Sequence, residues 1–146
     1  MLAPLFYTLL LVAVTVYAYG RGHFDERLAA TICVAGSLTT LALSKTGIDL
    51  YAGIEGSIFL IDVLALAAFI LLALRSNRFW PLWVAGFQLT SVFSHLLKAT
   101  HWSLIPQVYA AAERFWIYPI FLAIVVGTWR SRRRWRSEQP HRAQPA

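Results

Sequence analysis

The stretch G-I-E-G-S-I-F-L-I-D, Gly53 to Asp62, sets two carboxylates seven positions apart in an otherwise apolar run. Seven residues is nearly two helical turns, so a helix projects Glu55 and Asp62 from one face. A second apolar run carries Gln88, Ser91, His95 and Lys98 at steps of three, four and three. That spacing again keeps to one helical face. Further on, A-A-A-E-R-F-W places Glu113 beside Arg114. Such groups among apolar residues can bind a proton, an ion or a small polar ligand. They can equally pair with one another and fix helices in register. A charge at the centre of a bilayer costs about 2.5 to 3.5 kcal/mol on insertion scales, so each needs a partner or a use. Glu55, Asp62, Gln88, Ser91, His95, Lys98, Glu113 and Arg114 are therefore the candidate site. The competing reading is a structural polar clamp.

Other chemistries find less support. His95 and His101 are six residues apart, and no H-E-x-x-H or C-x-x-C accompanies them, so no metal centre is expected. Two-histidine haem ligation needs a second histidine facing His95 within the apolar runs, and one chain does not supply it. There is no G-x-S-x-G, and Ser94 points away from the neighbouring His95. Asp62 is the one aspartate inside the runs, whereas an intramembrane aspartyl protease needs two. Cys33, the single cysteine, falls in an apolar run, where a thiol stays protonated and inert. His23 and His141 lie in polar segments and are read as solvated. No catalytic residue and no cofactor is assigned.

The elements that must position these groups follow from composition. The chain has 146 residues, 58% of them hydrophobic and 14% charged. Soluble domains carry about 25% charged residues. Five long apolar runs account for the difference: Leu2 to Tyr19, Leu28 to Ser44, Leu50 to Leu74, Phe79 to Leu97, and Ile105 to Trp129. A spanning helix needs roughly 20 apolar residues. The runs lack the alternation of a membrane barrel. The expected fold is thus all-α, a polytopic membrane bundle of five transmembrane helices over residues 1–129. An Arg-rich tail over 130–146 is expected to be cytoplasmic and disordered. The first run has no Lys or Arg before Arg21 and ends Y-A-Y-G, which reads as a retained span rather than a cleaved leader. The second run is the shortest and holds Thr31, Ser37, Thr39 and Thr40, whose hydroxyls can bond back to a helical carbonyl.

Basic residues set the orientation. Arg21, Arg27, Arg75, Arg78 and the tail arginines Arg130, Arg132, Arg133, Arg134, Arg136 and Arg142 fall on one side of a five-span chain. Lys45 and Lys98 fall on the other. Cytoplasmic loops carry the excess of Lys and Arg, so the N-terminus is expected outside and the C-terminus inside. Trp80, Trp83, Trp129 and Trp135 flank run ends, where amphipathic rings collect at headgroup depth. Arg130, Arg132, Arg133, Arg134 and Arg136 are expected to contact anionic headgroups, at about 1 kcal/mol each. No nucleic-acid-binding motif accompanies them. The expected partners are therefore an anionic bilayer and other membrane subunits or further copies of the chain.

The third and fourth runs are joined by a turn centred on Ser76 and Asn77, which predicts an antiparallel hairpin. Residues equidistant from that centre share a depth. Glu55 then faces Lys98, Asp62 faces Ser91, and Gln88 lies one turn further inward. Ala52 with Gly56, and Gly53 with Ser57, are small-residue pairs that favour close packing beside the acids. Arg114 is expected to reach Glu55, Asp62 or a headgroup, and Glu113 to meet Lys98 or His101.

The string R-S-N-R-F-W-P-L-W-V-A-G-F-Q-L, followed by S-H-L-L-K, resembles small uncharacterised inner-membrane proteins of alphaproteobacterial type. The likeness rests on about residues 61–129. It implies a multi-pass place in a bacterial inner membrane and carries no activity and no site residue. Taken together, the readings rank a non-catalytic accessory or scaffold component first. A small transporter, channel or proton relay using Glu55 and Asp62 ranks second, and an intramembrane redox subunit or enzyme third.

Overall fold

Each of the five apolar runs carries a helix. The computed structural model describes residues 2–46, 54–100 and 115–138, with side chains over 5–45, 56–97 and 115–135. The helices are α1 (Leu2–Arg21), α2 (Phe24–Thr46), α3 (Ile54–Arg75), α4 (Trp80–Thr100) and α5 (Ile117–Glu138). No strand occurs among the described residues. Pro4, Pro81 and Pro119 each fall in the first turn of a helix, where a missing N–H breaks no helical bond.

Two of these helices are long and apolar enough to cross a membrane: Phe24–Lys45, 22 residues, and Gly56–Arg75, 20 residues. A shorter apolar stretch covers Leu5–Arg21. The shortest run of the sequence thus becomes one of the two that qualify, because its helix extends through the polar residues at both ends. Its hydroxyls behave as anticipated. Thr31 Oγ1 donates to the Arg27 carbonyl at 2.8 Å, Ser37 Oγ to Cys33 at 2.8 Å, and Thr39 Oγ1 to Ala35 at 2.8 Å.

The Arg-rich tail expected over 130–146 is described only to residue 138, and 139–146 lie outside the described residues. Its described part is not irregular. Instead α5 continues through R-S-R-R-R-W-R to Glu138. Arginine is a good helix former, and this segment holds no Gly or Pro to stop it.

The helices close a ring. α3 packs on α2 and α4, α4 on α5, α5 on α1, and α1 on α2, while α2 also touches α5 across the ring. The core inside it is built from Val14, Ala18, Ala29, Ala30, Cys33, Phe69, Leu72, Val84, Ala85, Ile120, Phe121 and Ile124. Small residues bring helices close at several points. A Cβ on Gly127 would lie 2.7 Å from the Trp80 ring, so α5 meets the start of α4 through a glycine. At the turn between α1 and α2, a Cβ on Gly22 would lie 2.5 Å from the Ala18 carbonyl oxygen.

Outward faces are apolar. Leu5, Leu9, Val12 and Val16 run exposed down α1, Leu60, Leu64, Leu71 and Leu74 down α3, and Leu82, Leu89, Phe93 and Leu96 down α4. These rows follow helical spacing and give a surface that water does not favour.

Candidate functional site

The turn at Ser76 to Phe79 folds α4 back along α3, and the Ser76 N–H caps α3 by donating to the Leu72 carbonyl at 2.9 Å. The matched register brings Asp62 opposite Ser91. Ser91 Oγ donates to Asp62 Oδ2 at 3.2 Å, and Gln88 Nε2 donates to Asp62 Oδ1 at 3.2 Å. The same Gln88 amide also lies 3.3 Å from the Asp62 backbone carbonyl. Both partners are buried.

His95 adds a contact that sequence register did not assign. Its Nε2 lies 3.0 Å from Asp62 Oδ2. It sits one turn outward of Ser91, as Gln88 sits one turn inward, so three consecutive stripe positions of α4 converge on one carboxylate. The edge of the imidazole meets Phe59 one turn outward on α3, with ring centroids 6.3 Å apart at 67°. The signal was present in the stripe itself. What the pattern lacked was the rotation of α4 that turns all three side chains toward one acid.

The rest of the candidate set is only partly visible. Glu55 and Lys98 lie on the helical backbones of α3 and α4, toward the same end as His95, and their side chains lie outside the described residues. The expected Glu55–Lys98 pair therefore falls outside them as well. Glu113, Arg114 and His101 fall outside the described residues altogether.

A second polar contact faces this one across the ring. The Tyr7 hydroxyl on α1 bonds to Ser37 Oγ on α2. Tyr7 lies in the neighbourhood of Asp62, Cys33 and Tyr118. Tyr7 also stacks on Phe121 of α5, with centroids 5.9 Å apart. Polar groups from α1, α2, α3 and α4 thus share one layer.

A separate cluster ties the two short turns together, and sequence reasoning missed it by weighing only basic residues there. Glu26 is fully buried. Its Oε1 accepts from Arg78 Nη1 at 2.9 Å, and its Oε2 accepts from the His23 backbone N–H at 2.9 Å. Glu26 is the third residue of α2, so the second bond is the reciprocal half of a capping box. Beside it, Ser76 Oγ donates to Asp25 Oδ2 at 2.6 Å. The readable signal was an acidic pair opening a helix, where the dipole favours negative charge.

The arginine segment lies at this same end. His23 meets the Trp135 ring of α5 at 5.9 Å. Trp129, Arg130, Arg133, Arg134 and Trp135 are exposed, Arg132 is half-buried, and the Arg136 side chain lies outside the described residues. The Arg133 guanidinium stacks 4.5 Å over Trp129 one turn back. Ser131, between them, is turned inward and buried.

Among the described residues, no group of three His, Cys, Asp or Glu side chains could hold a metal ion. No protein-family model matches the chain, and neither a curated protein nor a solved structure matches it.

Proposed function

We propose that this chain is a small multi-pass protein of the bacterial inner membrane, acting as a non-catalytic scaffold or accessory component. The rows of exposed Leu, Val and Phe support a lipid-facing exterior. The burial of Gln88, Ser91 and Glu26 within the bundle agrees with that reading, since lipid offers them no partner. The cluster that joins both short turns gathers Arg21, Arg27, Arg75, Arg78 and the end of α5 at one pole. A cytoplasmic pole is where such a gathering belongs. The resemblance carried by residues 61–129 points to the same membrane.

One observation carries the scaffold reading: both oxygens of Asp62 are bonded by α4. A polar network that satisfies its own acceptors holds helices together, whereas a transport site leaves groups for its cargo. Inward of Asp62 and Gln88, the interior is Phe69, Leu72, Val84 and Ala85, all buried. A single copy therefore offers no continuous polar route between the two poles among the described residues.

Reconstitution tests this. Purified chain in vesicles is expected to add no proton or potassium flux over empty vesicles, while Asp62→Asn lowers the melting temperature in detergent. A flux that Asp62→Asn abolishes, with expression intact, would replace the scaffold reading with a transport one.

A further inference from the structure

We propose that the start of α4 and the turn of α5 that overhangs it form a binding site for one phosphate group. The site rests on the membrane reading above for one source of that group, a lipid headgroup, and not on the scaffold role. It begins with two buried polar atoms. Trp80 Nε1 and Ser131 Oγ have no hydrogen-bond partner among the described residues. Ser131 as a whole is 4% exposed. The hydroxyls of Thr15, Thr31, Ser37, Thr39 and Thr128 all bond back to the carbonyl four residues earlier. Ser131 does not, so its hydroxyl is left for a group outside its own helix.

Both atoms lie at one junction. Gly127 of α5 rests on the Trp80 ring, with ring carbons 2.7 Å from where a Cβ would stand. α5 does not stop at that level. It runs on to Glu138, about 16 Å further at 1.5 Å per residue, and so stands over the start of α4. Arg130, Ser131 and Arg134 follow Gly127 at steps of three, four and seven. That spacing keeps them on the face that Gly127 turns toward α4. Ser131 is directed inward there, and Arg130 and Arg134 are exposed beside it.

The groups gathered there are donors. Trp80 opens α4, and the first backbone N–H groups of a helix have no partner within it. Phe79, the residue before, has no side chain to cap them, and the first turn holds no acid. α2 differs, since Glu26 accepts from the His23 N–H at its start. An uncapped helix start draws an anion through its N–H groups and its dipole. The indole N–H, the Ser131 hydroxyl and two guanidinium groups add to it. The acids of this pole are already engaged: Asp25 accepts from Ser76, and Glu26 from Arg78 and the His23 N–H. A carboxylate has two oxygens to offer, fewer than the donors here, whereas a tetrahedral phosphate has more and matches the arginine fork. Trp80 is half-buried, and a turn of its indole opens the junction to the headgroup layer where tryptophan collects.

The test uses the full chain in a maltoside detergent, which carries no phosphate, with nitrogen-15 in the indole rings. Trp80→Phe assigns the Trp80 N–H resonance. Inorganic phosphate and short-chain phosphatidylglycerol are titrated separately, each against sodium chloride at matched ionic strength. The expected result is a saturable shift of the Trp80 resonance that chloride does not produce. A response to both probes means that the phosphate group suffices. A response to the lipid alone makes the headgroup the source, and one to inorganic phosphate alone makes it a free phosphate. Arg130→Gln changes an exposed side chain and is expected to weaken binding roughly tenfold, the loss of one charge-assisted hydrogen bond. Ser131→Ala deletes an unpaired hydroxyl, so it is expected to keep the melting temperature of the probe-free chain and to reduce the rise that phosphate gives. No shift with either probe, a shift that chloride matches, or binding untouched by both variants overturns the site. Chain lost from carbonate-washed membranes overturns the membrane reading and with it the lipid source, while the inorganic phosphate titration decides the site by itself.

Discussion

At Asp62 the carboxylate is met by an amide, a hydroxyl and an imidazole, all from one facing helix. Such contacts are individually modest inside a membrane, averaging about 0.6 kcal/mol with a maximum near 1.7. Ser91→Ala is therefore expected to cost about 0.6 to 1.7 kcal/mol. Asp62→Ala removes the shared acceptor and leaves three donors to repartner, so its cost exceeds that of Ser91→Ala. Thermal melts of the purified variants in one detergent rank the two. Glu26 is a different case, since its carboxylate is sealed while Arg78 stays partly exposed. Breaking a sealed ion pair typically costs about 3 to 5 kcal/mol. Arg78 can turn to water, so Glu26→Ala is expected below that range, at roughly 2 kcal/mol. Glu26→Gln keeps an acceptor for the His23 N–H and should cost less, as measured by the same melts.

The elements show how small residues choose neighbours. Gly127 lets α5 rest against Trp80 at the start of α4, with ring carbons 2.7 Å from where a Cβ would stand. Gly127→Ala forces the indole or the helix to move. Overpacking of this kind costs about 1 to 3 kcal/mol. Trp80→Leu in the same chain is expected to restore part of that loss, and a double-mutant cycle read by melting temperature reveals the coupling. The hairpin of α3 and α4 was legible in the sequence. Its turn is short, its polar stripes match in register, and Asp62 meets Ser91 and Gln88 as that register demands. The fate of the arginine segment was not. A run of arginines reads as a solvated tail by charge, yet helix propensity and the contact of Trp135 with His23 extend α5 past the apolar boundary.

At the scale of the molecule, the ring of helices carries exposed apolar rows on its outside and, among the described residues, draws its arginines to one pole. If that pole is cytoplasmic, the arginines of α5 fix the orientation. Replacing Arg130, Arg132, Arg133, Arg134 and Arg136 by Gln leaves five basic side chains on that side, Arg142 among them. The expected outcome is a mixed orientation, read by paired reporter fusions at the C-terminus that are active on opposite sides of the membrane. An unchanged single orientation would mean that Arg21, Arg27, Arg75, Arg78 and Arg142 suffice.

Periodicity and charge placement in the chain determined the helical class, the polar faces of α3 and α4, and the segregation of arginines. These are local or additive properties, which each segment expresses without its neighbours. Tertiary structure decided which groups meet. It turned His95 onto Asp62, set Tyr7 and Ser37 across the ring from them, and joined the two turns through Glu26 and Arg78. Those pairings depend on how far each helix rotates and how closely it approaches, and residues such as Gly127 and Ala18 set both only once all five helices are packed.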